Sequence, residues 1–301
     1  MRRKHLLFTG LIMATLLHLC GIQTQARERT DQLGRQVILP DRPKRVVALA
    51  PSITESIFAL HREDCLVGVT RFSDFPPQAD HLPSVGSYIS LDLEKIVALK
   101  PDLCLGTKDG NPKAVIHRLQ ALDIPVYVVD PRDLSAVMDT LLAIGEILNA
   151  ADQARTIVSR MRSRIKAVTS RVATTTYRPR VFFQIGITPI VSVGTPTFIH
   201  QLIVMAGGEN IAEGPTAYPR FSREQVLALA PDVLIITSMA RGEHFQRVKN
   251  SWSKWSHLPA VQKNNLFVVE SNLFDRASPR LVDALERLAQ LIHPELFGET
   301  S

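Results

Sequence analysis

Two glutamates, Glu94 and Glu224, hold the same place in two copies of one pattern, 130 positions apart. Leu91 to Leu105 reads LDLEKIVALKPDLCL, and Phe221 to Ile235 reads FSREQVLALAPDVLI. Each carboxylate falls in the first turn of an expected helix. There it complements the positive end of the macrodipole by up to about 1 kcal/mol, a sufficient local reason for an acid. The pairing offers a second chemistry. Two similar lobes would present both carboxylates on the same outer surface, a charged pair suited to contact rather than catalysis.

The elements that must position this pair follow from the same two strings. Asp92 and Ser222 are expected N-caps, accepting from the orphan amides of a new helix. Apolar residues then recur at helical spacing, as Leu93, Ile96 and Val97 in one copy and Val226, Leu227 and Leu229 in the other. Pro101 and Pro231 end the helices, since proline cannot donate and crowds the preceding turn. The apolar runs that follow, LCLG and VLII, read as buried parallel strands. Two such units at a domain-sized interval predict two similar lobes with a ligand between them.

The rest of the chain fills in both lobes. Arg45 to Ala50 is an expected strand, and Ser52 with Glu55 reads as the capping box of the next helix. Leu66 to Val69 and Val126 to Val129 add strands, and Ala114 to Leu122 adds a helix. This alternation predicts a small α/β lobe on a parallel sheet. Leu134 to Leu148 is one helix, and Asp152 to about Val172 is a second, long and charged, without glycine or proline. It would span roughly 30 Å at ~1.5 Å per residue, a stiff connector that limits hinge motion. The second lobe restarts at Arg180 with VFFQIG. A helix from Phe198 to Met205, the strand LFVVES and a helix from Pro279 to Ile292 complete it.

Other chemistries lack their residues. The sequence has no phosphate loop, no dinucleotide glycine fingerprint and no G-x-S-x-G elbow. Its nine histidines are dispersed, and His81, His117, His200 and His244 read as surface or core residues. Nothing in the spacing supports a metal site, and an exported enzyme acting on a bulky ligand is kept only as a remote alternative with a weak basis. The basic run Arg160, Arg162, Arg164 and Lys166 reads as a solvated helix face, which argues against nucleic acid as a partner.

The first residues give the address. Arg2, Arg3 and Lys4 precede an apolar run from Leu6 to Leu19, and Thr24-Gln25-Ala26 offers small residues for cleavage. This reads as a secretory signal peptide, too short for a membrane span. His18 and Leu19 stand where a lipidated Cys20 would need small residues, so cleavage near Ala26 is preferred. The expected mature chain is a soluble exported monomer with a formal charge of +3 in place of +6. Cys65 and Cys104 would lie on strands either side of the first strand, too far apart to pair, and read as buried thiols.

At this point a resemblance enters. The strings GVTRFSDFPPQ (68–78), LDLEKIVALKPD (91–102), FFQIGITP (182–189), AGGENI (206–211), FSREQVLALAP (221–231) and DRASPR (275–280) run through nearly all of the mature chain. In this order they resemble the helical-backbone substrate-binding proteins of ABC importers, and most closely the cobalamin-binding members. The resemblance implies an α/β fold of two Rossmann-like lobes with parallel sheets, joined by one long rigid helix, with the ligand cleft between them. The expected division is a signal peptide to 26, a first lobe over 27–150, a connecting helix over 151–175 and a second lobe over 176–301.

The resemblance also implies a function. The protein would capture cobalamin or a related corrinoid, have no cofactor or enzymatic activity of its own, and dock on a permease dimer with its ATPase subunits. Glu94 and Glu224 match positions that meet arginine pockets on the permease. Phe72, Tyr88, Thr107, Ile185, Tyr218, Asn272 and Arg276 would line the pocket. The sequence departs from the cobalamin pattern by Tyr88, Thr107 and Tyr218 in place of tryptophans and by Asn272 in place of an acid. Its two tryptophans, Trp252 and Trp255, fall outside the expected cleft. A ferric siderophore or haem is the alternative cargo, the first suited by Arg276.

Overall fold

The computed structural model describes residues 26–237 and 244–298. The expected signal peptide lies almost wholly outside the described residues. Two four-stranded parallel sheets form the frame. In the first lobe the strand order is Leu66–Gly68, Val46–Ala48, Leu103–Thr107, Val126–Val129. In the second it is Glu209–Asn210, Arg180–Gln184, Val233–Ile236, Leu266–Val268, the same order with respect to the chain. An antiparallel hairpin that the sequence reading did not anticipate, Ala26–Thr30 with Gln36–Pro40, precedes the first lobe.

The repeated strings build the same structure twice. Asp92 accepts from the Lys95 amide and Ser222 from the Gln225 amide, capping the helices Leu93–Ala98 and Arg223–Leu229. Ile96 and Val226, equivalent in the repeat, are the fully buried residues of these helices, whereas Val97 faces solvent. Lys100 and Ala230 take left-handed backbone, at φ 47° and 45°, to end each helix before its proline. The repeated aspartates then reach the start of each lobe's first strand. Asp102 accepts from the amides of Lys44 at 2.8 Å and Arg45 at 3.0 Å, and Asp232 from that of Arg180 at 3.1 Å.

One continuous apolar core runs through both lobes. It includes Val46, Ala48 and Leu105 of the first sheet and Val181, Phe183 and Ile235 of the second. Between them lies the 22-residue helix Ala151–Val172, whose Ala154, Val158, Met161, Val168 and Val172 form a buried stripe. Smaller cores on the outer faces of the sheets pack the short repeat helices. A shared core of this kind resists wide separation of the lobes. Arg164 departs from the expected solvated run: it clasps Glu286 and Asp283 of the Leu281–Ile292 helix at 2.6 Å each, while Arg160, Arg162 and Lys166 are exposed.

Ser52 does not cap its helix. Pro51 takes the first helical position, Ala50 becomes the cap residue, and no side chain bonds there. Glu55, freed from a capping role, is buried. Cys65 and Cys104 are free and buried, separated by the central Val46–Ala48 strand. Burial pushes both thiols up to about 12. Neither should therefore react with a thiol reagent at about pH 8 in the native state, and both should react once the protein is unfolded. Rapid native modification would show local opening, at the 3-10 turn Glu63–Cys65 for Cys65 or at the strand Leu103–Thr107 for Cys104. Among the described residues no helix is long and apolar enough to cross a membrane.

Candidate functional site: a cleft between the lobes

The carboxyl ends of parallel strands are where loops, and hence ligand sites, collect in α/β folds. In the first lobe, Asn111 organises these ends. Its Oδ1 accepts from the Thr107 amide at 2.8 Å, and its Nδ2 donates to the carbonyls of Leu49 at 2.8 Å and Tyr88 at 2.9 Å. Three loops are thus tied to one buried amide. Tyr88 sits at the tip of a tight hairpin, Gly86–Ser87 with Ser90–Leu91. Its ring lies on Gly110, where an added Cβ would come within 2.5 Å of the ring. Gly110 also has φ 107°, so a side chain there is excluded twice over.

Tyr218 stands at the same repeat interval from Tyr88 as Glu224 from Glu94, before the short strand Arg220–Phe221. It is 55% exposed, yet protein surrounds the phenol closely enough that burial, then Asp109, raises its pKa. Burial and then Asp275 do the same for the Tyr88 phenol. Tyr218 also senses Asp275, Tyr88 and Arg132. The two phenols, one from each lobe, thus lie within electrostatic reach of each other. Arg132 is held by Asp130 at 2.6 Å and Asp109 at 3.1 Å, so the rim carries a fixed charge network.

The far wall of the space is a buried junction between lobes. Arg276, 7% exposed, donates from Nη1 to Glu55 at 2.7 Å and from Nη2 to Asp74 at 2.7 Å. The same Nη2 reaches the Phe72 carbonyl at 2.7 Å and Asn272 Oδ1 at 2.8 Å. Asn272 Nδ2 donates onward to Asp74 at 3.1 Å, and Ser278 donates to the second oxygen of Glu55 at 2.5 Å. Arg280 lies 3.6 Å from Glu55 and covers the Phe75 ring at 3.7 Å. Glu55 and Asp74 belong to the first lobe; the groups that bind them belong to the second. The arginine read as an anion-binding residue is committed here to two carboxylates and a carbonyl.

Of the residues expected to line the pocket, Tyr88 and Tyr218 stand on loops of opposite lobes, near enough for one to bear on the titration of the other. Thr107 ends its strand nearby, its amide held by Asn111. Phe72, Asn272 and Arg276 meet at the junction, partly or wholly buried. Ile185 packs against the main core, with its amide on the Val191 carbonyl at 2.8 Å. Glu94 and Glu224 lie apart from the cleft and are exposed. A side-chain hydrogen bond with Ser222 holds Glu224 below the usual carboxylate range, so it stays charged. Trp252 is buried in the second lobe's outer core, donating to Gln184 at 2.8 Å. Sequence reasoning missed Glu55, Asp74 and Asn111, whose roles arise from partners distant in the chain.

No group of three or more metal-ligating side chains gathers among the described residues. The chain is 31% identical over 252 residues to the vitamin B12-binding protein of Photorhabdus laumondii, covering 83% of this chain and 88% of that protein. Its fold is similar to the periplasmic vitamin B12-binding protein BtuF of Vibrio cholerae, at TM-score 0.76 and 27% identity, covering 86% of this chain and all of that one. A periplasmic haem-binding protein from Pseudomonas aeruginosa is similar at TM-score 0.75 and 27% identity, over 84% and 93% of the two chains. Residues 46–273 match the periplasmic binding protein family, and this chain belongs to it.

Proposed function

We propose that this protein captures cobalamin or a closely related corrinoid in the periplasm and hands it to the permease dimer of an ABC importer. What supports this reading most is the pair Tyr88 and Tyr218, equivalent in the repeat, carried by opposite lobes and near enough for one to bear on the titration of the other. A large macrocycle with an apolar face and an amide-bearing periphery needs broad aromatic cover and a few polar anchors. The similarity to vitamin B12-binding proteins over most of both chains supports the same cargo. Phe72, Thr107, Ile185 and Asn272 complete the proposed lining, and Arg276 braces it from behind. The energy for transport comes from the importer's ATPase subunits, and the exported chain acts as a monomer after cleavage near Ala26.

The similarity to a haem-binding protein raises haem as a second cargo. A tyrosine that ligates iron does so as phenolate. Burial, with Asp275 at Tyr88 and Asp109 at Tyr218, raises both phenols, so an iron centre ligated there would have to displace the proton.

A direct test is gel filtration of the mature protein after incubation with cyanocobalamin. Co-elution of about one equivalent of the red ligand is expected, and a colourless protein peak would reject the reading. Replacing Tyr88 with alanine should weaken binding by ~1–3 kcal/mol, through lost aromatic contact and the space opened against Gly110. Wild-type affinity in that variant would mean the ring serves the first lobe alone.

A further inference from the structure

A cavity of about 480 Å³ opens where the two lobes meet, between Arg132 and Asp133 of the first and residues 195–205 of the second. Its two walls are pinned together, since the Leu134 amide donates to Gln201 Oε1 at 2.8 Å. Each wall is also tied to a loop that bears on one of the two tyrosines. Arg132 binds Asp109 at 3.1 Å, and Asp109 precedes Gly110, on which the Tyr88 ring lies. On the other wall, the Gly194 amide donates to the Ala217 carbonyl at 2.8 Å, one residue before Tyr218. Thr195 Oγ1 accepts from the Gly214 amide of the same loop at 3.1 Å. The cavity therefore adjoins both tyrosine loops, at the boundary between the lobes.

The polar side chains that line this cavity leave donors free. Behind His200 lies the buried Asn210, whose Oδ1 accepts from the Ala212 amide at 3.2 Å. One Nδ2 hydrogen of Asn210 goes to the Val193 carbonyl at 2.8 Å, and the other to His200 Nδ1 at 3.0 Å. That ring nitrogen is thus an acceptor, and the ring proton sits on Nε2. His200 Nε2 makes no hydrogen bond among the described residues. Gln201 Oε1 is taken by the Leu134 amide, which leaves the Gln201 amide hydrogens. Asp133 gives Oδ1 to the Ala136 amide at 2.8 Å, which leaves Oδ2 as an acceptor. Beside these groups lie Pro196, Met205 and Val204, the last 52% exposed.

We propose that this cavity receives the nucleoside part of a corrinoid's nucleotide arm, its sugar and aromatic base, and so selects complete cobalamins over arm-less corrinoids. The proposal rests on the corrinoid reading of the cleft. A sugar hydroxyl both accepts and donates, which matches the donors His200 Nε2 and Gln201 Nε2 and the acceptor Asp133. The base is flat and largely apolar, and it covers Val204, Met205 and Pro196, which otherwise leave apolar surface in water. The volume is that of a small-molecule site, more than one peripheral amide would fill. Charge selects the same part of the arm. Asp109 and Asp130 already hold the Arg132 guanidinium, and Asp133 adds a third carboxylate. A further anion is disfavoured there, so the phosphate stays at the rim while the neutral sugar and base enter.

The test measures Kd for cyanocobalamin and for dicyanocobinamide, which keeps the ring and its peripheral amides but lacks the nucleotide arm. Wild type should bind cyanocobalamin roughly tenfold or more tightly than dicyanocobinamide, the effect of a few hydrogen bonds and a covered base. Two variants address the cavity differently. His200→Ala removes a donor, and Val204→Trp fills the space while leaving every polar group in place. Each should narrow the ratio to about threefold or less by weakening cyanocobalamin, with dicyanocobinamide within about twofold of wild type. Cyanocobalamin binding no tighter than that of dicyanocobinamide, or a ratio that either variant leaves untouched, would overturn the inference and leave the corrinoid reading intact. No binding of cyanocobalamin by wild type would overturn the corrinoid reading itself, and the inference with it.

Discussion

Replacing Glu94 and Glu224 together with alanine should leave ligand binding within about twofold of wild type and abolish stimulation of a reconstituted permease. Both residues are exposed, and each stands at the start of a helix that packs its lobe through one buried residue, Ile96 or Val226. Neither carboxylate is needed for the cap, which Asp92 and Ser222 provide. The folding cost of the double substitution should therefore be small. What is removed is a pair of charges at equivalent points on two lobes, the arrangement that docking on the proposed permease dimer would use. Such charges orient docking and accelerate association, so the wild-type effect should weaken with rising salt. Each single substitution should retain partial stimulation. Full stimulation by the double variant would remove the docking role.

The second large effect is on the fold. Replacing Arg276 with methionine should lower stability by ~3–5 kcal/mol, since it leaves Glu55 and Asp74 without their main cation. For a chain of this size that is a fall in Tm of roughly 6–20 °C. Ser278 and Arg280 would still contact Glu55, but Arg280 is 3.6 Å away and already rests on Phe75. Removing both charges, as Arg276→Met with Glu55→Gln, should recover part of the loss, because the buried anion goes with its partner. Because the network joins the lobes, the single variant should also bind ligand more weakly. An unchanged Tm would mean that the junction opens readily and that Arg276 is available to the ligand after all.

Much of this architecture is legible in the sequence because each lobe is built by local rules, and the chain states them twice. The caps Asp92 and Ser222, the prolines behind them and the apolar strands all act within a few residues. Likewise, Cys65 and Cys104 could be kept apart by counting strands, and the structure places the central strand between them. The junction behaves differently. Glu55 sits in a string that reads as a capping box, and Arg276 in one that reads as a ligand arm. Each is claimed by the other across 221 residues. Nothing local signals that pairing, and Pro51 at the first helical position moves the cap to Ala50.

The support of the first-lobe loops was hidden for a related reason. The tyrosines themselves could be singled out, but Asn111 and Gly110, which hold one of them, could not. A loop asparagine and a loop glycine are common, and their task exists only once three loops have met.

The measurement that tests the central claim most directly is calorimetric titration of the mature protein, residues 27–301, with cyanocobalamin, haemin and a ferric hydroxamate in parallel. Saturable one-to-one binding of cyanocobalamin, with no saturable heat from either iron compound, is the predicted result. Binding of an iron chelate with silence from cyanocobalamin would contradict the account, and would replace the cargo proposed for this cleft.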